Sequence, residues 1–431
     1  MVEVPGSSPV APTISHNAAE PFSEYNSQVE KSEVPLSKSE ATRAKLLECT
    51  VQELLVTSAD QIGFTAVARR AKLSTGALYA RYENSEEMLI DVWNRRCEAA
   101  VMKFVRDATE SSKVSPDRNA EWRVIDGMKS ENAELMAGIS IMIVARRNET
   151  LSEVVRPSID RIFAEAKLVS PAIVHVMAYL LGELISSKGF GSKPLGWEIF
   201  VSNLLGVASR SEVSNYTPDE SVIVFNSQKA PVDEIEDFDE RLFAALVVVI
   251  GATGVERATV SRIARSSSIN PATIYQRFES KKLLIRMCVD NYLSILIGGF
   301  ITLNDQVVSR SELVSRMVGQ YRMRSSKIYE VDRRFRLECL YAAWFDKDLG
   351  GLYAGTIAKV ADYEVQFALR AGREADESDD WISFFNKVNG IFGYSLLNEY
   401  GLAMSDDDRI VSIETGLTEA VVVQLPNAPK S

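Results

Sequence analysis

The sequence predicts an all-α chain made of two similar modules in tandem. Three observations predict it. Apolar residues recur at helical spacing along most of the chain, with no alternating strand series and no strand–helix rhythm. One short motif occurs twice, nearly half the chain apart. A polar stretch with two prolines separates the helical patterns into halves. A length of 431 residues suits two or more domains, and 46% hydrophobic residues can supply their cores.

In chain order, residues 1–37 are rich in Ser, Pro, Glu and Ala, and read as a disordered tail. Helical periodicity starts at once after it, with Leu47, Val51, Leu54 and Leu55 on one face. Ser37 and Glu40 fit a capping box at its start. Helical patterns continue to about Ser209, a short first domain, 38–92, being followed by a longer helical domain, 93–209. Residues 210–236 read as a linker, within which "SVIVF" fits an extended segment. Phe238, Leu242, Leu246, Val249 and Ile250 restart a helix. The second half divides likewise into 237–287 and 288–424. "READESDD" (373–380) reads as an acidic loop before a helix starting near Trp381.

Several function classes are disfavoured. Cys49, Cys97, Cys288 and Cys339 lie far apart, which argues against a zinc site or a disulfide framework. His16 and His175 are the two histidines, so histidine-based nucleophilic catalysis has little material. No Gly-rich phosphate loop follows a strand-like run. We expect no cofactor, no metal and no enzymatic activity. No apolar run reaches membrane-spanning length and no signal pattern opens the chain, so it reads as cytoplasmic. The formal net charge of −11 is unlike that of a simple nucleic-acid binder, but placement of charge matters more than its sum.

The repeat decides the architecture. Tyr79 and Tyr275 stand 275 − 79 = 196 residues apart. That offset carries Val67 to Ile263, Ala68 to Ala264, Arg69 to Arg265, Leu73 to Ile269, Leu78 to Ile274, Arg81 to Arg277 and Tyr82 to Phe278 without a gap. Val67 and Ala68 end a short helix, and Leu73 sits in a turn. Ser74 is placed to cap a second helix that buries Leu78 and Tyr82. In the second copy Asn270 takes the cap position and Pro271 the first helical position. This is helix-turn-helix spacing, completed by the long helix before it. Arg69, Arg70, Lys72 and Arg81 in one copy, and Arg262, Arg265 and Arg277 in the other, form basic islands without an acid inside them. Such islands neutralise phosphate and make binding salt-dependent.

"VARRAKLSTGALYARYENSEEML" and "IARSSSINPATIYQRFESKKLL" resemble the TetR family of bacterial transcriptional regulators. The resemblance covers about 50 residues in each half. It implies tandem TetR-like modules, each an N-terminal three-helix helix-turn-helix domain plus a helical ligand-binding and dimerisation domain. Family members are homodimers with one reading module per chain; two modules in one chain imply an intramolecular pseudo-dimer, with a further homodimer open. Both copies lack the family's turn glycine, having Lys72 and Ser268 instead. The second copy keeps Ser280-Lys281, where the first has Asn84-Ser85.

Roles follow by position. The resemblance sets Ser74, Thr75, Gly76 and Ala77, and in the second copy Asn270, Pro271, Ala272 and Thr273, at the openings of the reading helices. There, side chains reach base edges of double-stranded DNA. Tyr79 and Tyr275 are implied to contact phosphate, with core packing as the plainer alternative. Arg81 and Arg277 are implied to contact phosphate or guanine, and Lys281 phosphate. Arg43, Thr65 and Thr259 complete the implied DNA face. The reading helices differ at nearly every exposed position, which predicts an operator with two unlike half-sites. "LLGELISSKGFG" (180–191) echoes "IFGYSLLNEYGL" (391–402) at an offset of 393 − 182 = 211. By resemblance, 171–208 and 379–421 would pair into a four-helix bundle. Tyr321, Phe335, Tyr341 and Trp344 are candidates to line a pocket for a small apolar or aromatic effector, against plain core packing. The leading function is a one-component regulator of the repressor type. The alternatives are an interaction protein that kept the fold but lost specific DNA binding, and an enzyme on a helical scaffold.

Overall fold

The computed structural model describes residues 37–113, 119–129, 132–170, 172–191, 193, 196–210, 232–305, 327–370, 378–402, 413 and 415–417. The expected tail up to residue 36, the "SVIVF" segment, the acidic loop at 373–377 and Tyr321 lie outside them. Every regular element among the described residues is helical. The described residues therefore have the all-α fold class that the chain's periodicity predicts. The chain separates into two units, Met1–Ala44 and Lys45–Ser431, and both turns of the repeat belong to the second. Among the described residues, no helix is long and apolar enough to cross a membrane.

Helix α1 spans Lys38–Leu54. The expected capping box is present: Ser37 donates its amide to Glu40 (3.0 Å), and Glu40 donates its own to the Ser37 hydroxyl (3.2 Å). Helices α2 (Phe64–Ala71) and α3 (Gly76–Tyr79) follow. Leu54, Val67, Ala71 and Leu78 are fully buried. Helices α4 (Ser85–Val92) and α5 (Glu98–Ser111) are joined by one π-helical turn, Trp93–Cys97. Then come α6 (Ala120–Lys129), α7 (Ala133–Ala145), α8 (Glu149–Val169), α9 (Ile173–Phe190) and α10 (Trp197–Ala208). A 3₁₀ turn at Val232–Glu234 falls in the expected linker. The second half runs α11 (Phe238–Thr253), α12 (Val260–Ser267), α13 (Pro271–Arg277), α14 (Lys281–Asp305), α15 (Glu330–Ala343), α16 (Lys347–Arg370) and α17 (Ser378–Glu399).

The turn of the repeat is the same in both copies. Lys72 (φ 52°) and Ser268 (φ 54°) are the non-glycine residues with positive φ among the described residues, and they are equivalent at the 196 offset. Leu73 donates to the Ala68 carbonyl and Ile269 to the Ala264 carbonyl, each at 3.0 Å. These bonds hold the chain in a left-handed step that disfavours a β-carbon. Replacing Lys72 or Ser268 by glycine is expected to stabilise the fold by about 1 kcal/mol each. Chemical denaturation checks this; a loss of stability in both variants would show that the side chains matter more than the backbone strain.

Helix α9 packs along α17, and glycine governs how closely. A β-carbon on Gly393 would collide with the Ala178 carbonyl, and one on Gly182 with the Asn389 carbonyl. The contacts are reciprocal: 182 and 393, and likewise 178 and 389, are equivalent at the 211 offset found in the sequence. Gly390, equivalent to 179, has no room for a β-carbon beside the Tyr179 ring. Helix α10 also packs on α17. Beyond it, a β-carbon on Gly416 would stand 2.7 Å from Val207.

A polar pair is buried in this seam. Asn389 donates its amide to Glu183 Oε1 (3.1 Å), while Glu183 Oε2 and Asn389 Oδ1 have no partner. A buried carboxyl with an unpartnered oxygen favours the neutral, protonated form. Burial pushes the Glu183 carboxyl up to about 8, with the Asn389 bond opposing. In the unfolded chain it titrates near 4.3. Between those values the folded chain holds the extra proton. Its stability therefore falls as pH rises through the window and levels off above it. Glu183→Gln should remove this fall, melting near the parent protein at pH 5 and above it at pH 8.5. Equal pH slopes in thermal melts of both proteins would place the titration elsewhere.

Candidate nucleic-acid interface

In the second copy, α13 is built as the sequence predicts. Asn270 accepts from the Ala272 amide (2.9 Å), and Pro271 opens the helix. Ile274 and Phe278 face the core, while Pro271, Ala272, Thr273, Tyr275 and Arg277 are exposed. Tyr275 is 57% exposed and Tyr79 67% exposed. Those values favour a surface contact over the packing alternative. Tyr79 rests the edge of its ring on Phe64 (centroids 4.9 Å).

The first copy departs from expectation at its cap. Helix α3 begins at Gly76 with Thr75 before it, and no side chain caps it; Ser74 lies one residue further out. The serine hydroxyl is one atom shorter than the asparagine side chain that reaches the equivalent amide in α13. Helix α3 is also four residues long against seven in α13. Ser74, Thr75 and Gly76 are exposed and Ala77 is half-buried. The Arg81 guanidinium donates back to the Ala77 carbonyl (3.0 Å). Tyr82 donates to Asp91 (2.7 Å), a bond that Phe278 cannot make.

The remaining sequence candidates are spread around this face. Thr259 caps α12, accepting from the Arg262 amide (3.3 Å), and its equivalent in the first copy is Gly63. Thr65 is exposed near the start of α2. Arg43 is half-buried in α1. Lys281 is half-buried at the start of α14 and donates to the Glu256 carbonyl (3.0 Å). Burial lowers its amine below the usual lysine range, with Glu256 opposing.

The basic islands are partly compensated by acids from other segments. Glu53 of α1 pairs with Arg70 (2.7 Å), and Asp239 of α11 pairs with Arg277 (2.9 Å). The Asp239 hydrogen bond raises the Arg277 guanidinium above its ordinary value, so it stays charged. Asp346 and Asp348 similarly hold Lys282, next to Lys281. Arg69 and Arg265 remain exposed. The sequence reading passes over Gln276, which is exposed beside Tyr275 and Arg277. Its spacing of four from Ala272 is the signal that could have found it.

Behind the reading helices lies a buried ionic junction drawn from both halves. Arg147, after α7, donates to Asp60 (2.7 Å) and to Glu338 of α15 (2.8 Å). Arg146 pairs with Glu338 and donates to the Gly251 carbonyl of α11 (3.0 Å). Burial works against the charge on Arg147, but Glu338 and Asp60 more than offset it and raise its protonation constant. Tyr341 accepts from the Ala59 amide (2.9 Å) and shares a hydrogen bond with Ser140 (2.6 Å).

Of the aromatic residues expected to line a pocket, Phe335, Tyr341 and Trp344 are buried. Phe335 is fully buried against Tyr292 (centroids 4.9 Å). Trp344 donates to the Ile185 carbonyl of α9 (3.0 Å), and Tyr341 belongs to the junction. A cavity of about 480 Å³ opens beside the junction, lined by Arg146, Arg147, Asn148, Glu149 and Arg156 among others. All four cysteines are free, and among the described residues no cluster of side chains could hold a metal ion.

Residues 242–287 match the family model described as bacterial regulatory proteins, tetR family. The matched residues run from α11 into the start of α14 and include α12 and α13. The first copy rests on the repeat and on the shared left-handed turn. No curated protein matches the chain.

Proposed function

We propose that this protein is a one-component, TetR-like transcriptional regulator of the repressor type. It works as an intramolecular pseudo-dimer with two reading heads, α2–α3 and α12–α13. The observation that carries the pseudo-dimer is the reciprocal glycine seam. In a two-fold interface, residue i of one copy meets j of the other and j meets i. Residues 182 and 389, with 393 and 178, obey that rule within one chain.

The two heads expose different side chains, so the operator has two unlike half-sites, about 34 Å or a multiple of it apart. The helical domains after the heads, up to 209 and from 288, carry regulation rather than catalysis. An effector acts by shifting the junction of Asp60, Arg147 and Glu338, which ties segments next to both heads. The cavity beside that junction is lined by charged side chains, which suits a polar effector better than an aromatic one.

Salt-titrated binding to genomic fragments, including the region upstream of this gene, tests the reading. One fragment should bind tightly and saturably. The Arg277→Ala, Lys281→Ala double variant should bind it at least tenfold more weakly, with a shallower salt dependence. Weak binding to every fragment, lost at moderate salt, would contradict the regulator and favour an interaction protein that has kept the fold.

A further inference from the structure

The two heads carry different side-chain inventories on the same exposed face. In α3 the positions that face outward are Gly76 and Tyr79, with Ala80 just beyond the helix end. Ala77 beside them is half-buried, and Arg81 is turned back onto its carbonyl. None of Gly76, Ala77 and Ala80 has a polar side chain. Ser74 and Thr75 precede the helix, and hydroxyls of this kind serve any base. In α13 the equivalents are Ala272, Thr273, Tyr275 and Gln276, all exposed. Gln276 replaces Ala80 at the 196 offset. It is the exposed residue on either reading helix with a planar carboxamide not already used in capping. Asn270 spends its carboxamide oxygen on the Ala272 amide.

From this asymmetry we infer that base selection resides in the second head, with Gln276 reading an adenine, while the first head serves as a sequence-tolerant phosphate clamp. The inference rests on the DNA-binding function proposed above. A glutamine carboxamide matches the donor and acceptor that adenine presents in the major groove. Tyr79 and Arg69 on the first head can serve phosphate, which carries no sequence information. Structure supports the same division. Helix α13 is seven residues long and capped by Asn270, whereas α3 is four residues long and uncapped. A held helix aims its side chains; a clamp needs only charge and reach.

The test is selection of bound duplexes from a randomised double-stranded library with the full chain, followed by affinity measurements on single-base variants. The expected profile is one-sided: one half-site strongly constrained, including an A·T pair, the other nearly flat. Gln276→Ala should lose about tenfold in affinity for the adenine variant and become indifferent at that pair alone. Gln276→Arg should shift the preference there from adenine to guanine. Ala80→Ser, its counterpart in the first head, should leave the profile unchanged. Equal constraint at both half-sites, or specific binding that Gln276→Ala and Gln276→Arg leave unaltered, would overturn the inference while leaving the regulator standing. No enrichment of any sequence by the parent chain would remove both.

Discussion

The structure depends on how closely α9 approaches α17. Three glycines, Gly182, Gly390 and Gly393, sit where any β-carbon would strike a backbone carbonyl or an aromatic ring. Small residues permit this separation, and the flanking side chains are then placed by it. Tyr179 meets both Tyr394 and Phe200 edge to face around the seam, with centroids 5.5 Å apart in each pair. Glu183 and Asn389 are shut inside it. Trp344 reaches the Ile185 carbonyl only because α15 lies against α9. On the proposed pseudo-dimer, a fold that needs two equivalent halves to complete one core gains from joining them. Linkage replaces a concentration-dependent encounter with a fixed effective concentration. It also frees each half to diverge, since neither has to recognise its own copy.

Divergence is visible in what connects the halves elsewhere. The junction of Asp60, Arg147 and Glu338 is a buried ionic network, and such networks rarely add net stability. Its arginine lies after α7, one acid beside the first head, and the other on α15. A hydrophobic cluster would hold these elements together at least as well. Charges, however, tolerate few arrangements, because moving one partner leaves another buried and unpaired. Under the proposed function, the junction specifies the relation between elements near the two heads, which is the property such a regulator would control. Asp239 on Arg277 and Asp346 on Lys282 are exposed and weaker, and belong to the adjustable surface.

Local features were legible in the sequence. The capping box at Ser37 and the cap at Asn270 with Pro271 each depend on residues within a few positions. The repeat offset of 196 aligned the two turns, and the offset of 211 aligned Gly182 with Gly393. What escaped the sequence came from tertiary partners. The basic islands looked free of acids because Glu53 and Asp239 lie in other helices. Ser74 missed its capping role through the length of one side chain and the late start of a four-residue helix.

The central claim is that one chain supplies both reading heads to one duplex. Native mass spectrometry of the chain with a duplex carrying a single bound site, at concentrations where the free chain is monomeric, tests it most directly. The account predicts a complex of one chain and one duplex, with footprinting of that complex showing two protected segments of different sequence. Complexes that form only with two chains per duplex, over a palindromic footprint, would contradict it.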